Sequence, residues 1–185
     1  MTVALYPGRF DPVTNGHVDI VQRAARIFEE VVVGVAMSRS AIFSLEERIE
    51  MMRNALKGWD NVRVTAIEGL TVDSAKACGA SVIVRGLRVA DFTYEFDMAL
   101  MNRNMAPDIE SVYMMTALEH LFVSATRIRE LSSFGRDVTE FVPAGVSEAI
   151  EKKFADSKYN FPSLMRQVAL SSMFFALPAP QVSAK

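Results

Sequence analysis

Hydrophobic residues fall into short runs along the chain, and each run has the length of a single β-strand. The runs cover residues 3–6, 31–37, 62–67, 81–84 and 111–115. Within each run the apolar residues are nearly continuous, whereas a half-exposed strand would alternate apolar and polar positions. The pattern therefore predicts a parallel sheet that helices cover on both faces.

The segments between these runs have helical periodicity. Apolar residues recur every three or four positions from Val18 to Phe28, which indicates an amphipathic helix. Ser44 and Glu47 have the spacing of a capping box and predict the start of a second helix. Further helices are predicted over residues 72–78, 92–105 and 144–154, and from residue 124 onward. Strands that alternate with helices in this way predict an α/β, doubly wound, Rossmann-like domain with right-handed crossovers.

Length and composition favour one domain with an extension. The chain has 185 residues, of which 50% are hydrophobic, so it can build a core and is not a disordered chain. We expect the domain to span residues 1–155. The alternation of strands and helices stops at Asp156, and residues 156–185 are predicted to be a C-terminal extension with one possible helix over residues 163–177.

Charge and cysteine content narrow the possible partners. Twenty Lys and Arg residues against 22 Asp and Glu residues give a net charge of −2, so a polyanion site would have to be local and no nucleic-acid partner is expected. The single cysteine, Cys78, excludes an internal disulfide framework and a thiolate zinc cluster. No apolar run approaches the roughly 20 residues that span a bilayer. We expect a soluble cytoplasmic protein without a membrane partner.

The first candidate site is the turn after the first strand, which reads YPGRFDPVTNGH over residues 6–17. Such a turn lies at the carboxyl end of a strand, where open α/β sheets bind ligands. Gly8 permits close backbone approach, and Gly16 with His17 opens a helix whose free amides attract phosphate. The spacing matches neither the dinucleotide-binding motif nor the P-loop. An ordinary connection in which His17 only caps the helix is the alternative.

A second set of candidates follows later strands. Arg85 and Arg88 flank Gly86 just after a predicted strand, and two guanidinium groups beside an accessible backbone favour a phosphate ligand. The alternative is a surface loop in which Asp91 and Glu95 pair with these arginines. Residues 124–126 open a helix after the last strand, where they cap the helix or hold a phosphate.

Other chemistries lack the residues that they need. The two histidines are His17 and His120, and the HExxH, CxxC and GxSxG patterns do not occur. Zinc hydrolysis and α/β-hydrolase catalysis are therefore not supported.

Three separate blocks resemble one known family. The sequence TNGH at residues 14–17 is similar to the T/HxGH signature of the nucleotidyltransferase superfamily. The longer stretch YPGRFDPVTNGHVDIV, residues 6–21, resembles the opening of the bacterial phosphopantetheine adenylyltransferases. Residues 84–103 resemble a later block of the same family, and residues 122–130 resemble its ISSTxxR segment. The three blocks occur in the same order as in the family.

The resemblance implies a reaction. In this family the phosphate of 4′-phosphopantetheine attacks the α-phosphorus of ATP in line, without a covalent enzyme intermediate, and gives 3′-dephospho-coenzyme A and pyrophosphate. The cofactor implied is Mg²⁺, carried mainly by ATP phosphates and water, and the assembly implied is a homohexamer. A nucleotidyltransferase for another phosphorylated acceptor and a non-catalytic nucleotide-binding homologue remain the alternatives.

The resemblance also implies roles for individual residues. His17 would stabilise the transition state. ATP would contact Arg9, Phe10, His17, Gly86, Leu87, Arg88, Glu95, His120, Leu121, Phe122, Val123, Ser124, Ala125 and Thr126. Phosphopantetheine would contact Arg9, Arg39, Leu70, Thr71, Arg85 and Asn102. The chain departs from the family at Arg9, where Thr or Ser is usual, and in residues 37–43, which are a shorter loop without the family's lysine. The resemblance would give the role of that lysine to Arg39.

Overall fold

The computed structural model describes residues 2–156 and contains a five-stranded sheet. All strand pairs are parallel, and the order in the sheet is β3-β2-β1-β4-β5. The strands are β1 (Val3–Gly8), β2 (Glu30–Ala36), β3 (Val62–Ile67), β4 (Val82–Leu87) and β5 (Glu110–Met115). The predicted α/β, doubly wound, Rossmann-like fold is confirmed.

Six helices connect and follow the strands in the described part of the chain. They are α1 (Asn15–Ala25), α2 (Leu45–Ala55), α3 (Thr71–Ala77), α4 (Phe92–Met105), α5 (Ala125–Ser133) and α6 (Val146–Asp156). The capping box of Ser44 and Glu47 forms as predicted at the start of α2. The helix predicted over residues 163–177 lies outside the described residues. None of the described helices is long and apolar enough to cross a membrane.

The two faces of the sheet carry separate hydrophobic clusters, because successive side chains of a strand point in opposite directions. Tyr6 and Val33 pack with α1 and α2 on one face. Leu5 and Val32 pack with α3 on the other face. The helices α5 and α6 enclose a third cluster, which includes Phe43 from the connection before α2. The fold is thus three layered, with the sheet in the middle.

The strands β1 and β4 separate near their carboxyl ends. Their register contains only the pairs Ala4 with Val82 and Leu5 with Ile83, whereas β1 pairs with β2 along its whole length. The strand order reverses between β1 and β4, so this gap is the topological switch point where doubly wound sheets bind ligands.

The strand ends differ from the prediction. Arg85 and Gly86, expected just after a strand, belong to β4 and pair with Tyr113 and Met114 of β5. Gly8, expected in the first turn, belongs to β1 and pairs with β2. A neighbouring strand supplies partners that extend both strands, and such partners are not encoded locally. Gly8, Arg85 and Gly86 therefore lie in paired strand ends and not in turns.

Candidate active site

A cleft of about 390 Å³ opens at the gap between β1 and β4. Its walls are the end of β1 with the turn that follows, the first turn of α1, the end of β4 and the start of α5. Four arginines and three carboxylates line it, which leaves one net positive charge. They are Arg9, Arg85, Arg88, Arg129, Asp11, Asp91 and Glu95.

His17 completes an unusual capping box at the start of α1. The side chain of Thr14, the N-cap residue, accepts from the backbone N–H of His17, and the backbone N–H of Thr14 donates to Nδ1 of His17 at 3.1 Å. Glu or Gln normally fills this third helical position. Because Nδ1 accepts a hydrogen bond, the proton of the neutral imidazole resides on Nε2. His17 also lines the cleft, so helix capping and a place in the site coincide.

The charge state of His17 follows from its surroundings. Burial and, to a smaller extent, the positive charges of Arg88 and Arg85 lower the pKa of His17 to about 4. The imidazole is therefore neutral at physiological pH. A neutral imidazole with its proton on Nε2 is a hydrogen-bond donor that brings no charge of its own.

Arg85 is held by a buried carboxylate. Its Nε donates to Glu95 Oε2 at 2.9 Å and its Nη2 to Glu95 Oε1 at 2.5 Å, which is a bidentate pair. Its Nη1 donates to the carbonyl of Pro7 at 2.9 Å and so bridges the gap between β4 and β1. Glu95 is only 5% exposed, and its own carbonyl accepts from the Tyr113 hydroxyl. These contacts fix the Arg85 guanidinium on the cleft wall.

Arg88 is paired in a similar way. Its Nε donates to Asp91 Oδ2 at 2.6 Å, and its Nη1 donates to the carbonyl of Val123 at 3.1 Å. The structure thus contains the ion pairs of the alternative interpretation: Glu95 pairs with Arg85, and Asp91 pairs with Arg88. These pairs do not lie on a remote surface, however, because all four residues line the cleft.

Arg129 is a cleft residue to which the sequence analysis assigned no role. It lies on α5, its guanidinium donates to the carbonyl of Asp11 and to Thr126 Oγ1, and it approaches Asp11 Oδ2 at 3.5 Å. Its position within the block of residues 122–130 was the available signal. Asp11, Thr14 and Tyr94 also line the cleft without having been assigned.

Arg9 is the cleft arginine without a protein partner for its guanidinium. Within residues 2–156 its side chain makes no hydrogen bond and no ion pair, and the residue is exposed at the mouth of the cleft. The net positive charge of the cleft therefore resides on a side chain that is free to meet an anion.

Two helix N-termini reach the cleft. Thr14, Gly16 and His17 contribute the first turn of α1, and residues 124–126 contribute the start of α5. The Ser124 hydroxyl accepts from the backbone N–H of Arg127, so Ser124 caps α5. Unpaired amides at helix N-termini attract phosphate groups. The expected functions of capping and phosphate attraction are compatible at this position.

Three rings of the cleft lining, those of Tyr6, Phe10 and His17, pack against one another. The Phe10 ring is 3% exposed and lies 5.4 Å from the Tyr6 ring and 5.1 Å from the His17 ring between centroids. A Cβ atom on Gly8 would lie 2.7 Å from the Phe10 ring, so the absent side chain of Gly8 makes room for that ring. Gly86 similarly accommodates Ile20 of α1, since a Cβ there would lie 3.2 Å from Ile20 Cγ1.

A small side cavity of about 80 Å³ adjoins the cleft and shares Arg85, Tyr94 and Glu95 with it. Thr71 and Asn102, both predicted to contact phosphopantetheine, line this side cavity. Arg85 thus lies where the two cavities meet. Residues predicted to contact ATP line the cleft, and Thr71 and Asn102, predicted to contact phosphopantetheine, line the side cavity.

The remaining predicted residues divide into those inside and those outside the cleft. Besides the charged residues and His17, the cleft contains Phe10, Gly86, His120, Val123, Ser124, Ala125 and Thr126. Five predicted contacts do not line either cavity: Leu87, Leu121, Phe122, Arg39 and Leu70. Leu70 is the N-cap of α3 and directly precedes Thr71 of the side cavity. Arg39 is exposed in the connection between β2 and α2.

Comparisons with known proteins agree with this geometry. The cytidylyltransferase-like family model matches residues 5–131, which include every residue of the cleft. A phosphopantetheine adenylyltransferase of Desulfitobacterium hafniense is 48% identical over 157 residues, covering 83% of this chain and 96% of that protein. One from Azoarcus sp. is 48% identical over 159 residues, covering 84% of this chain and 98% of that protein. The chain belongs to the phosphopantetheine adenylyltransferase family.

Solved structures confirm the fold of this adenylyltransferase family member. Two crystal structures of a bifunctional NMN adenylyltransferase/ADP ribose pyrophosphatase from Francisella tularensis, one complexed with AMP and a Mn ion, match with TM-scores of 0.71 and 0.68. Each is 15% identical in sequence and covers 97% of this chain, while this chain covers 57% and 56% of them. At this identity the likeness concerns the fold alone.

The donor set of the cleft does not form a protein-held metal centre. Residues 2–156 contain no group of three or more His, Cys, Asp or Glu side chains that could hold a metal ion. Asp11, Asp91 and Glu95 each already accept hydrogen bonds from protein N–H groups. A divalent cation in this cleft would therefore need substrate phosphate oxygens and water for most of its ligands.

Proposed function

We propose that this chain transfers the adenylyl group of ATP to 4′-phosphopantetheine and so makes 3′-dephospho-coenzyme A and pyrophosphate. The observation that carries the proposal is a cleft that combines a neutral histidine donor, an arginine without a partner in residues 2–156 and two helix N-termini, in a chain that is 48% identical to a phosphopantetheine adenylyltransferase.

The reaction requires no covalent intermediate. A phosphate oxygen of 4′-phosphopantetheine attacks the α-phosphorus of ATP, a new P–O bond forms, and the bond to the β-phosphate oxygen breaks as pyrophosphate leaves. The attacking phosphate is already ionised near neutral pH, so no general base is needed. The protein has to bring two anions together in line and stabilise the charge that develops.

We assign that stabilisation to His17. The hydrogen bond at Nδ1 fixes the ring and keeps the proton on Nε2, which donates to the α-phosphate as the transition state forms. A donor that is already oriented needs no reorganisation during the reaction. Arg9, whose guanidinium has no partner in residues 2–156, contacts the phosphates of both substrates.

ATP occupies the cleft in this proposal. The start of α5, with Ser124, Ala125 and Thr126, and the end of β4, with Gly86 and Arg88, receive its phosphates and sugar. Mg²⁺, if bound to the ATP phosphates and water, would neutralise charge on the pyrophosphate that leaves. The binding roles proposed for Leu87, Leu121 and Phe122 rest on their neighbours in the chain, which line the cleft.

Phosphopantetheine extends from the cleft into the side cavity. Arg85 stands between the two cavities, while Thr71 and Asn102 line the side cavity with a hydroxyl and an amide. The pantetheine chain also carries amides and a hydroxyl, so these groups suit it. Leu70, which directly precedes Thr71, and Arg39 are the other contacts that we propose for phosphopantetheine.

The deciding experiment is a pyrophosphate-release assay with ATP, Mg²⁺ and a set of phosphorylated acceptors. We expect release only with 4′-phosphopantetheine. Equal or faster turnover with nicotinamide mononucleotide, ribitol phosphate or glycerol phosphate would assign another acceptor to this cleft. ATP binding by calorimetry without turnover for any acceptor would identify a non-catalytic homologue.

We further propose that the chain assembles into a homohexamer in the cytoplasm. Phe92, Phe96 and Leu100 of α4 are exposed, and they recur every four residues along one side of the helix. An exposed apolar row of this kind is typical of an interface. The single cysteine of the chain suits a reducing compartment. Light scattering of the purified protein measures the assembly directly.

A further inference from the structure

A buried arginine outside the cleft lacks a carboxylate partner. Arg48 of α2 is 1% exposed, and among residues 2–156 no Asp or Glu oxygen lies within ion-pair distance of it. Arginine is seldom fully buried unless it is paired. Burial of this guanidinium among neutral groups is therefore unusual, and the groups that it binds indicate its role.

Backbone carbonyls take the place of a carboxylate. Nη1 of Arg48 donates to the carbonyl of Arg9 at 2.6 Å and to the carbonyl of Ala36 at 2.8 Å. Nε donates to the carbonyls of Phe43 and Ser44, both at 3.2 Å. One side chain thus joins three segments: the turn after β1, the end of β2 and the connection that leads into α2.

Asp11 completes the attachment from the cleft side. Its carboxylate accepts from the backbone N–H groups of Ile42 at 3.0 Å and Phe43 at 3.1 Å. The N–H of Phe43 is therefore held by Asp11, and its carbonyl by Arg48. Asp11 lines the cleft, so these two side chains together attach the segment before α2 to the cleft wall.

The contact with Arg9 gives this arrangement a functional meaning. Arg9 is the cleft arginine whose guanidinium has no partner, and its backbone carbonyl receives the shorter of the two Nη1 hydrogen bonds. Because no described residue holds the Arg9 guanidinium, its direction depends on the position of the Arg9 backbone. An apolar side chain at position 48 would avoid burying a charge, but it could not hold the Arg9 carbonyl.

We propose that Arg48 is a positioning residue for the reaction: it fixes the backbone of Arg9 and thereby directs the Arg9 guanidinium toward the substrate phosphates. The inference rests on the proposed function, because it takes the role of Arg9 from there. Small displacements of a positioning group are costly, and a shift of about 1 Å can reduce a rate by roughly 10²-fold.

A double-mutant cycle tests this role. Arg48→Met is expected to lower kcat/KM about tenfold in the natural sequence, and by less than about twofold when Arg9→Ala is already present, because residues that act through one another are not additive. Equal losses in both backgrounds would overturn the inference, since a general structural role of Arg48 would not depend on Arg9.

Two further variants keep the result interpretable. Arg53→Met is the matched control, because Arg53 lies on the same helix but is exposed and donates to Val64 of β3; its kcat/KM is expected to stay unchanged. If Arg48→Met does not fold, Arg48→Lys keeps a buried cation but cannot reach all the carbonyls. It is expected to show the same dependence on Arg9, and a loss that is equal in both Arg9 backgrounds would overturn the inference.

The cycle can also be run without turnover. Calorimetry with inorganic pyrophosphate measures anion affinity in the same four proteins, and the loss caused by Arg48→Met is expected to disappear in the Arg9→Ala background. If the natural sequence has no turnover with any acceptor, the proposed function fails, while this binding cycle still decides the role of Arg48. Additive losses in pyrophosphate affinity would overturn it.

Discussion

The backbone N–H of Thr14 donates to Nδ1 of His17, so the side chain that closes the capping box of α1 is also the proposed catalytic donor. A glutamate or glutamine would cap the helix equally well. Only the histidine offers a neutral ring whose second nitrogen carries a proton in a fixed direction. The two functions of His17 can therefore be separated by substitution.

His17→Glu is expected to keep α1 capped and to abolish the donor. We expect kcat to fall by about 10²- to 10³-fold, the usual loss when one transition-state donor is removed. His17→Ala should lose the same activity and, in addition, about 1 kcal/mol of stability, because the backbone N–H of Thr14 loses its acceptor. The cap that Thr14 itself provides remains in this variant. Steady-state kinetics and thermal unfolding of both variants provide the comparison. An unchanged kcat in His17→Glu would show that His17 is only a helix cap.

The low pKa of His17 predicts a pH dependence of stability. The folded-state pKa of about 4 lies below the ordinary value of 6.5, so between these two pH values the unfolded chain binds more protons. The free energy of unfolding should therefore rise with pH across this interval and level off above it. Urea unfolding at a series of pH values measures the slope. His17→Gln should have a smaller slope, and an identical slope would contradict the assigned pKa.

The bidentate pair of Arg85 and Glu95 predicts a non-additive effect on stability. Arg85→Met leaves a nearly buried carboxylate without its cation, which typically costs about 3 to 5 kcal/mol. Adding Glu95→Gln removes that carboxylate, so the double variant should recover part of the loss. Denaturant unfolding measures both. If the double variant is no more stable than Arg85→Met, the unpaired Glu95 carboxylate is not the cause of the loss in the free energy of unfolding.

The same Arg85→Met variant tests the division of roles. Since Arg85 lies between the cleft and the side cavity, the KM for phosphopantetheine should rise more than the KM for ATP. Arg23→Met is a suitable control for charge loss, because Arg23 pairs with Asp19 on α1 and lines neither cavity. A loss confined to ATP would reverse the roles assigned to Arg85 and the cleft.

Arg9→Thr introduces the residue that the family usually has at this position. The threonine hydroxyl can still contact phosphate, although it brings no charge. We expect kcat/KM to stay within about tenfold of the natural sequence, a difference of about 1.4 kcal/mol. If the natural sequence is inactive and Arg9→Thr gains activity, the chain is a degenerate copy whose cleft the arginine obstructs.

The C-terminal segment is expected to be dispensable for the reaction. Among residues 2–156, those that line the cleft and the side cavity lie between Tyr6 and Arg129. Removing residues 157–185 should leave kcat per active site unchanged, as measured by pyrophosphate release. A truncated protein that keeps its assembly by light scattering but loses turnover would make this segment part of the active site.

Local signals in the sequence were sufficient for most of the fold. The apolar runs and the capping box of Ser44 and Glu47 mark elements that do form, because propensity, periodicity and capping act over a few residues. The ends of β1 and β4 were assigned to turns, because Gly8 and Gly86 are weak strand residues. Pairing with β2 and β5 extends both strands, and that pairing is non-local.

In the candidate site, too, local motifs could be predicted from the sequence and non-local contacts could not. The block at residues 6–17 and the pair Arg85 and Arg88 could be found from motifs, and the cleft contains them. Arg48 could not be found in this way, since its sequence context is that of an amphipathic helix. Its four carbonyl partners come from three separate segments of the chain, and only the folded backbone brings them together.

The strand order also has a consequence for synthesis on the ribosome. β1 is made first and occupies the middle of the sheet, but its second neighbour, β4, begins at Val82. Until then the nascent chain can form only the sheet β3-β2-β1, with one edge of β1 unpaired. Exposed strand edges are where chains associate wrongly. Until β4 emerges, the nascent chain is therefore open to wrong association along this edge of β1, and the same edge later borders the cleft.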